Sequence, residues 1–199
     1  MKVTRLICGA FATNSYLLEI EDNCLLIDPA CKIDKLLPYL ENKKVLGVLL
    51  THGHFDHIKA CDDLYNKYHC PIYLNKLDLE LTKDNTQGRC FGLMNVPTIS
   101  VPTVDIKESE TNIGPFNFEV IFTPGHSQGS VCYKFKNCIF TGDTLFKGSI
   151  GRTDLKGGSN SQLKNSLRVF KDMEDLTVYP GHDEISTIRD EQNNNFYLQ

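Results

Sequence analysis

Apolar and polar positions change period several times along the 199-residue chain. Val3–Cys8 and Tyr16–Ile20 read as strands, and Glu21-Asp22-Asn23 reads as the turn of a hairpin whose second strand is Cys24–Asp28. Pro29 stops that strand. Ile33, Leu36, Leu37 and Leu40 then follow at helical spacing, which predicts a helix over Ile33–Leu40. Val45–Leu50 is a continuous apolar run, the pattern of a strand covered on both faces. A helix from Ile58 to Tyr68 and a short strand Ile72–Leu74 come next. The stretch Leu77–Ser100 has a helix-like start and then loop signals at Gln87-Gly88-Arg89 and Val96-Pro97, and is a candidate lid. Strands are predicted at Phe118–Phe122, Val131–Phe135 and Cys138–Thr141, the last two joined by a tight turn at Lys136-Asn137. Ser161–Met173 carries Leu163, Leu167, Phe170 and Met173 along one helical face, and Leu176–Tyr179 is a final strand. The order is α/β, in two halves that each begin with a strand-rich stretch. Two packed sheets with helices on the outer faces satisfy it, and the length fits one domain over residues 1–199.

The overall charge narrows the partners. A net charge of -4 gives no support for a nucleic-acid or anionic-membrane surface, and no segment approaches the roughly 18 apolar residues of a membrane span. Thr13-Asn14-Ser15 interrupts any apolar stretch behind Lys2 and Arg5, so no cleavable signal is expected. The eight cysteines (8, 24, 31, 61, 70, 90, 132 and 138) include no C-x-x-C pair. Without a secretory signal they are expected to be free buried thiols in a cytoplasmic protein.

The chemistry concentrates in Thr51-His52-Gly53-His54-Phe55-Asp56-His57, directly after the apolar strand. In extended chain, residues two apart point the same way, so His52 and His54 can converge on one metal with Asp56 near the same side. His57 then points elsewhere, toward a second metal. With six histidines and fifteen aspartates in 199 residues, H-x-H-x-D-H arises by chance in about 4 of 10,000 such chains, so the match is specific. His126, Asp143 and His182 each follow a glycine at a predicted strand end, where functional side chains concentrate. Asp28 is either a strand terminator or a partner to a histidine N–H. Imidazoles with carboxylates and no thiolate set suit two divalent ions, Zn(II) first, with Fe or Mn as alternatives. Two ions about 3.5–4 Å apart share one hydroxide and bring the acidity of bound water near neutrality. Asp143 is the natural bridging carboxylate.

These residues in this order resemble the metallo-β-lactamase superfamily. The resemblance implies a four-layer αβ/βα sandwich of two mixed sheets. It also implies a first metal on His52, His54 and His126, a second on Asp56, His57 and His182, and Asp143 between them. The strings Thr123-Pro124-Gly125-His126-Ser127, Thr141-Gly142-Asp143-Thr144-Leu145-Phe146 and Pro180-Gly181-His182 are most similar to glyoxalase II (hydroxyacylglutathione hydrolase) and its short relatives. Full-length glyoxalase II adds a C-terminal helical glutathione-binding domain, whereas this chain ends 17 residues after His182. Ile150-Gly151-Arg152 stands where that family has Cys-Gly-Lys/Arg. Arg152 then either holds a substrate carboxylate or pairs with Asp154 on the surface.

The implied reaction is hydrolysis of a thioester, S-lactoylglutathione or a related acyl-thiol, by a metal-bound hydroxide that Asp56 orients or deprotonates. The alternative is a persulfide dioxygenase, whose relatives place a single iron on the first-site histidines and the equivalent of Asp143. A secreted β-lactamase fits less well, because Asp143 stands where those enzymes typically place cysteine. A tRNA-processing nuclease would need a basic arm that this acidic chain lacks.

Overall fold

The computed structural model describes residues 1–199. The first sheet begins as a meander: β1 (Lys2–Cys8) pairs antiparallel with β2 (Thr13–Ile20), and β2 with β3 (Asn23–Ile27). α1 (Ile33–Leu40) returns the chain so that β4 (Lys44–Leu49) lies parallel to β3. α2 (Cys61–Tyr68) leads in the same way to β5 (Ile72–Leu74). A single tight helical turn and α3 (Leu79–Thr82) follow, and after a long irregular stretch β6 (Thr103–Asp105) closes the order β1-β2-β3-β4-β5-β6.

The second sheet opens with an antiparallel meander of β7 (Ser109–Ile113), β8 (Phe116–Phe122), β9 (Val131–Phe135) and β10 (Cys138–Gly142). A small hairpin, β11 (Leu145–Phe146) with β12 (Ser149–Ile150), and the helices α4 (Asn160–Ser166) and α5 (Arg168–Lys171) come next. β13 (Thr177–Pro180) then lies parallel to β10, β14 (Ser186–Thr187) pairs with β13, and α6 (Ile188–Asn194) follows.

The two-residue period of the strands sorts their side chains into three apolar layers. Tyr16, Leu18 and Leu49 of the first sheet meet Phe116, Phe118, Tyr133 and Phe140 of the second in the central layer. Leu17, Leu26 and Val48, on the opposite face of their strands, pack under Leu36, Leu40 and Leu64 of α1 and α2. Ile139 and Val178 do the same under Leu163, Phe170 and Ile188 of α4, α5 and α6. Burying each such side chain contributes about 1.5–3 kcal/mol. The result is the helix–sheet–sheet–helix sandwich expected from the sequence.

Three details depart from expectation. The helix predicted over Ser161–Met173 is two shorter ones meeting at Leu167, where Phe170 N–H bonds Leu167 in a tightened turn; the apolar face is kept. The helix predicted from Ile58 starts at Cys61, because residues 55–57 form a turn instead. The cysteines are not all free thiols: Cys8 and Cys31 form a disulfide. The β1–β2 ladder and the turn after β3 bring their Cα atoms to 5.0 Å, within disulfide reach. Cys24, Cys61, Cys70, Cys132 and Cys138 are buried thiols, and Cys90 is an exposed one.

Candidate metal centre

Loops leaving the ends of β4, β8, β10 and β13 converge and carry all seven residues predicted from sequence. His52 and His54 follow β4, His126 follows β8, Asp143 follows β10 directly and His182 follows β13. The three imidazoles of His52, His54 and His126 are buried, with donor atoms within 4.8 Å of one another. His54 Nδ1 and His126 Nε2 are 2.8 Å apart. Asp56, His57 and His182 form a second such group. There His57 Nε2 is 3.4 Å from His182 Nε2 and 3.6 Å from Asp56 Oδ2. Asp143 stands between the groups. Its Oδ1 is 3.4 Å from His57 Nε2, and its Oδ2 is 3.4 Å from both His126 Nε2 and His182 Nε2.

Extended-chain geometry misplaces one of these residues. It put Asp56 beside His52 and His54 and sent His57 elsewhere. The hydrogen bond from His57 N–H to the His54 carbonyl closes a turn, and Asp56 and His57 face the same group as His182. A turn does not keep the two-residue alternation of a strand.

The outer nitrogens of the rings are held by the chain. His57 Nδ1 donates to Asp28 Oδ2 at 2.9 Å, His126 Nδ1 to the Arg152 carbonyl at 2.8 Å and His182 Nδ1 to the Phe11 carbonyl at 3.0 Å. Thr51 Oγ1 donates to Asp28 at 2.6 Å, which leaves its lone pair to accept from His52 Nδ1 at 3.0 Å. Such contacts fix tautomer and ring direction. Asp28 is therefore a histidine partner, the second of its two readings. Although Asp28 also lies near His52 and His57, its oxygens are taken by Thr51 and His57 Nδ1. Gly181 permits the close packing: a Cβ there would stand 2.2 Å from Asp143 Oδ1.

Four side-chain polar atoms are buried without a hydrogen-bond partner, and two of them, His52 Nε2 and Asp143 Oδ1, belong to the predicted donors. His52 belongs to the first donor group, and Asp143 Oδ1 lies 3.4 Å from His57 Nε2 of the second. An orphaned acceptor in a closed site is unfavourable by about 1–3 kcal/mol. A divalent cation would satisfy both, and the N/O donor set suits it chemically.

Protonation differs between the groups. Burial, reinforced by His57, holds His52 well below the usual imidazole range, and burial with His126 beside it lowers His54 to about 3. For His57 burial acts in the same direction, but Asp56, Asp143 and Asp28 outweigh it and hold the ring up at about 9. Asp143 and Asp56 likewise overcome burial at His182 and raise it to about 11. Burial alone would raise Asp56, yet His57 and His182 bring it down to about 2.

A cavity of about 710 Å³ opens above the centre. Phe11, Phe55 and Phe91 form an edge-to-face cluster on one side of it, and Phe146 lies against His182. Arg89, Arg152 and Lys156 line the rim. Arg152 makes two bonds of 2.7 Å to Asp154, the surface-pair reading, while its guanidinium also lies 5.7 Å from the Phe91 ring centroid. The Leu77–Ser100 stretch forms a wall of this cavity through Leu81, Gln87 and Phe91, and Lys156 bonds across to Asp84 at 2.8 Å.

Sequence reasoning overlooked Asp78 and Thr13. Thr13 donates its hydroxyl to Asp56 at 2.8 Å, and Asp78 bonds the loops that carry His54 and His126. Neither belongs to a motif. Only a polar residue in an otherwise apolar setting, Asp78 between Leu77 and Leu79, offered a signal.

The sequence profile of the metallo-β-lactamase superfamily matches residues 8–182. The chain belongs to that superfamily. It is 37% identical over 206 residues to the probable metallo-hydrolase YqgX of Bacillus subtilis, covering 100% of this chain and 98% of that one. It is 34% identical over 201 residues to the hydroxyacylglutathione hydrolase GloC of Haemophilus influenzae, covering 95% and 94%. Among solved structures, the BLEG-1 B3 metallo-β-lactamase superposes with a TM-score of 0.91 at 33% identity, covering 100% of both chains. TTHA1623 in a di-iron-bound form gives 0.90 at 35%, covering 98% and 100%. ETHE1 from Myxococcus xanthus gives 0.81 at 29%, covering 98% and 84%. This is a metallo-hydrolase fold with its histidine clusters in place. No helix is long and apolar enough to cross a membrane.

Proposed function

We propose that the chain is a two-metal thioester hydrolase of the glyoxalase II type, acting on S-lactoylglutathione or a related acyl-thiol. The observation that carries this reading is the pair of donor groups sharing the Asp143 carboxylate at the floor of a cavity with an apolar wall and a rim of mixed charge. His52, His54 and His126 would hold one ion, Asp56, His57 and His182 the other, with Asp143 contributing to both. Zn(II) is the first choice for this donor set, and the di-iron form of TTHA1623 makes iron the second. Divalent ions there supply a Lewis acid for a carbonyl oxygen and acidify water.

The chain's own groups do the rest. Asp56, steadied by the Thr13 hydroxyl, orients the attacking water, whose proton passes to solvent. The phenylalanine cluster holds the acyl part and excludes water. Arg89 lines the rim, and Arg152 and Lys156 would meet the anionic groups of the thiol carrier by exchanging their partners Asp154 and Asp84. Water adds to the carbonyl carbon, the C–S bond breaks, and the carrier leaves as thiolate with the free acid as co-product. GloC, a hydroxyacylglutathione hydrolase by name, supports the thioester class. The five buried thiols fit a reducing cytoplasm, with the Cys8–Cys31 pair as the exception.

The test is an assay of the purified protein against glutathione and other acyl-thiol esters, with a β-lactam as comparison and metal content measured on the same sample. Two metals per chain and thioester turnover well above lactam turnover are expected. One iron per chain with persulfide-dependent oxygen uptake would replace the hydrolase reading with the dioxygenase one.

A further inference from the structure

We propose that Asp78 is a positioning residue that sets the His54 ring against the His126 ring by fastening their two loops to one buried carboxylate. This rests on the metal-centre reading above. Asp78 is 1% exposed and lies just before α3, on a segment that supplies none of the seven donors. Its Oδ2 accepts from Gly53 N–H at 2.8 Å and from the Ser127 hydroxyl at 2.6 Å; its Oδ1 accepts from Gly129 N–H at 2.6 Å. Gly53 separates His52 from His54, and Ser127 follows His126. Every bond therefore falls within three residues of a donor. Because His54 Nδ1 and His126 Nε2 are only 2.8 Å apart, the spacing of these loops is the spacing of the donors.

Glycine is required on both sides for the carboxylate to come so close. A Cβ at Gly53 would lie 2.9 Å from the Asp78 carbonyl oxygen, and one at Gly129 would lie 2.7 Å from Asp78 Cγ. Gly53 thus serves Asp78 as well as leaving room between two histidines. Burying a carboxylate is unfavourable unless donors surround it, and an apolar side chain would fill the same space without that penalty. What the carboxylate adds is simultaneous acceptance from two loops. All three partners are donors, so the amide of Asp78→Asn can satisfy one glycine N–H only and turns its NH2 toward the other.

Metal-depleted wild type, Asp78→Asn and Asp62→Asn are titrated with Zn(II) against a competing chelator and with Co(II) by its visible d–d bands. Thermal unfolding of each metal-free protein is recorded alongside. Asp62 is the control, an aspartate that accepts from Ser100 and Val101 N–H away from the donors. Asp78→Asn is expected to bind an ion about 10–100-fold more weakly and to change the Co(II) spectrum. Asp62→Asn should lower the melting temperature with affinity unchanged. A folded Asp78→Asn with wild-type affinity and spectrum overturns the proposal while leaving the metal centre intact. If Asp78→Asn does not fold, Ser127→Ala, which removes one bond of the three, must weaken binding in the same direction, and unchanged binding again overturns it. Wild type that takes up no divalent ion removes the metal-centre reading itself.

Discussion

The two donor groups meet at Asp143 yet are built on different principles. His52 and His54 are neutral imidazoles deep in the fold, where burial keeps them deprotonated, and His126 is buried beside them. Asp56, His57 and His182 place two rings among carboxylates, and those negative charges overcome the same burial and keep the rings protonated. Burial thus acts alike on both groups, and the number of carboxylates decides the outcome. Their supports differ as well. The first group leans on Asp78 and the Arg152 carbonyl, the second on the Phe11 carbonyl, Thr13 and Asp28. His52 and His54 are ready for a cation as they stand, whereas His57 and His182 must give up protons to take one.

Removing one ring from each group tests this most directly. His54→Ala leaves His52, His126 and an open space, with the shared Asp143 as the one carboxylate at that position. His182→Ala leaves Asp56 and Asp143 still facing the second position. His54→Ala is expected to lower kcat/KM by more than about 100-fold with loss of one metal per chain, and His182→Ala by about 10–100-fold. Metal analysis beside the assay checks both, and equal losses would break the contrast.

Asp28→Asn comes next in size. The carboxylate accepts from Thr51 N–H, Thr51 Oγ1 and His57 Nδ1, all donors, so an amide there leaves one of them facing an NH2. The bond that restrains the His57 tautomer is weakened, because its acceptor becomes a neutral amide oxygen. Affinity at the second position should fall about 10–100-fold, more than at the first, in a Zn(II) titration resolved into two steps.

The proton contrast is read by titrating metal into a weakly buffered, metal-free sample. A histidine whose folded pKa lies above its ordinary 6.5 binds its proton more tightly when folded. The linked stability is present in full below 6.5 and is lost as pH rises through about 9 for His57 and about 11 for His182. Near pH 7.5 the metal that binds His57 and His182 should therefore release about two protons, whereas His52 and His54 have none to release. Release in the opposite order would show that the groups fill in a different way.

How much of this could be read beforehand follows from which interactions are local. Val45–Leu50, Ile33–Leu40 and Val131–Phe135 carry their environment in their own period, and they appear as strand, helix and strand over nearly those bounds. The cluster at residues 52–57 announced metal chemistry by composition. β6 has only three residues, and β7 (Ser-Glu-Thr-Asn-Ile) is largely polar because it lies at a sheet edge, so neither has a period to read. Strand alternation alone places Asp56 beside His52 and His54, and the turn at residues 55–57 abolishes that alternation. Asp78 and Gly129 are 51 residues apart and meet only once both sheets are assembled, and Cys8 and Cys31, 23 apart, meet only once β1, β2 and β3 have paired.

The smallest expected effect lies at the rim, outside both groups. Lys156 is 74% exposed and its bond to Asp84 spans the cavity mouth, so the pair contributes at most about 1 kcal/mol to stability. Asp84 also accepts from the Thr86 N–H and hydroxyl, which hold it in place when the lysine is gone. Lys156→Ala should therefore leave the fold and both metals unchanged. If the rim recognises the carrier by charge, KM for an anionic thioester rises about 2–10-fold with kcat kept. That difference should shrink in high salt, because exposed charges are screened. A neutral thioester should not distinguish the two proteins. A fall in kcat with KM unchanged would instead mean that the wall formed by Leu77–Ser100 positions the reacting bond, and that the cavity rim and the metal groups act as one unit.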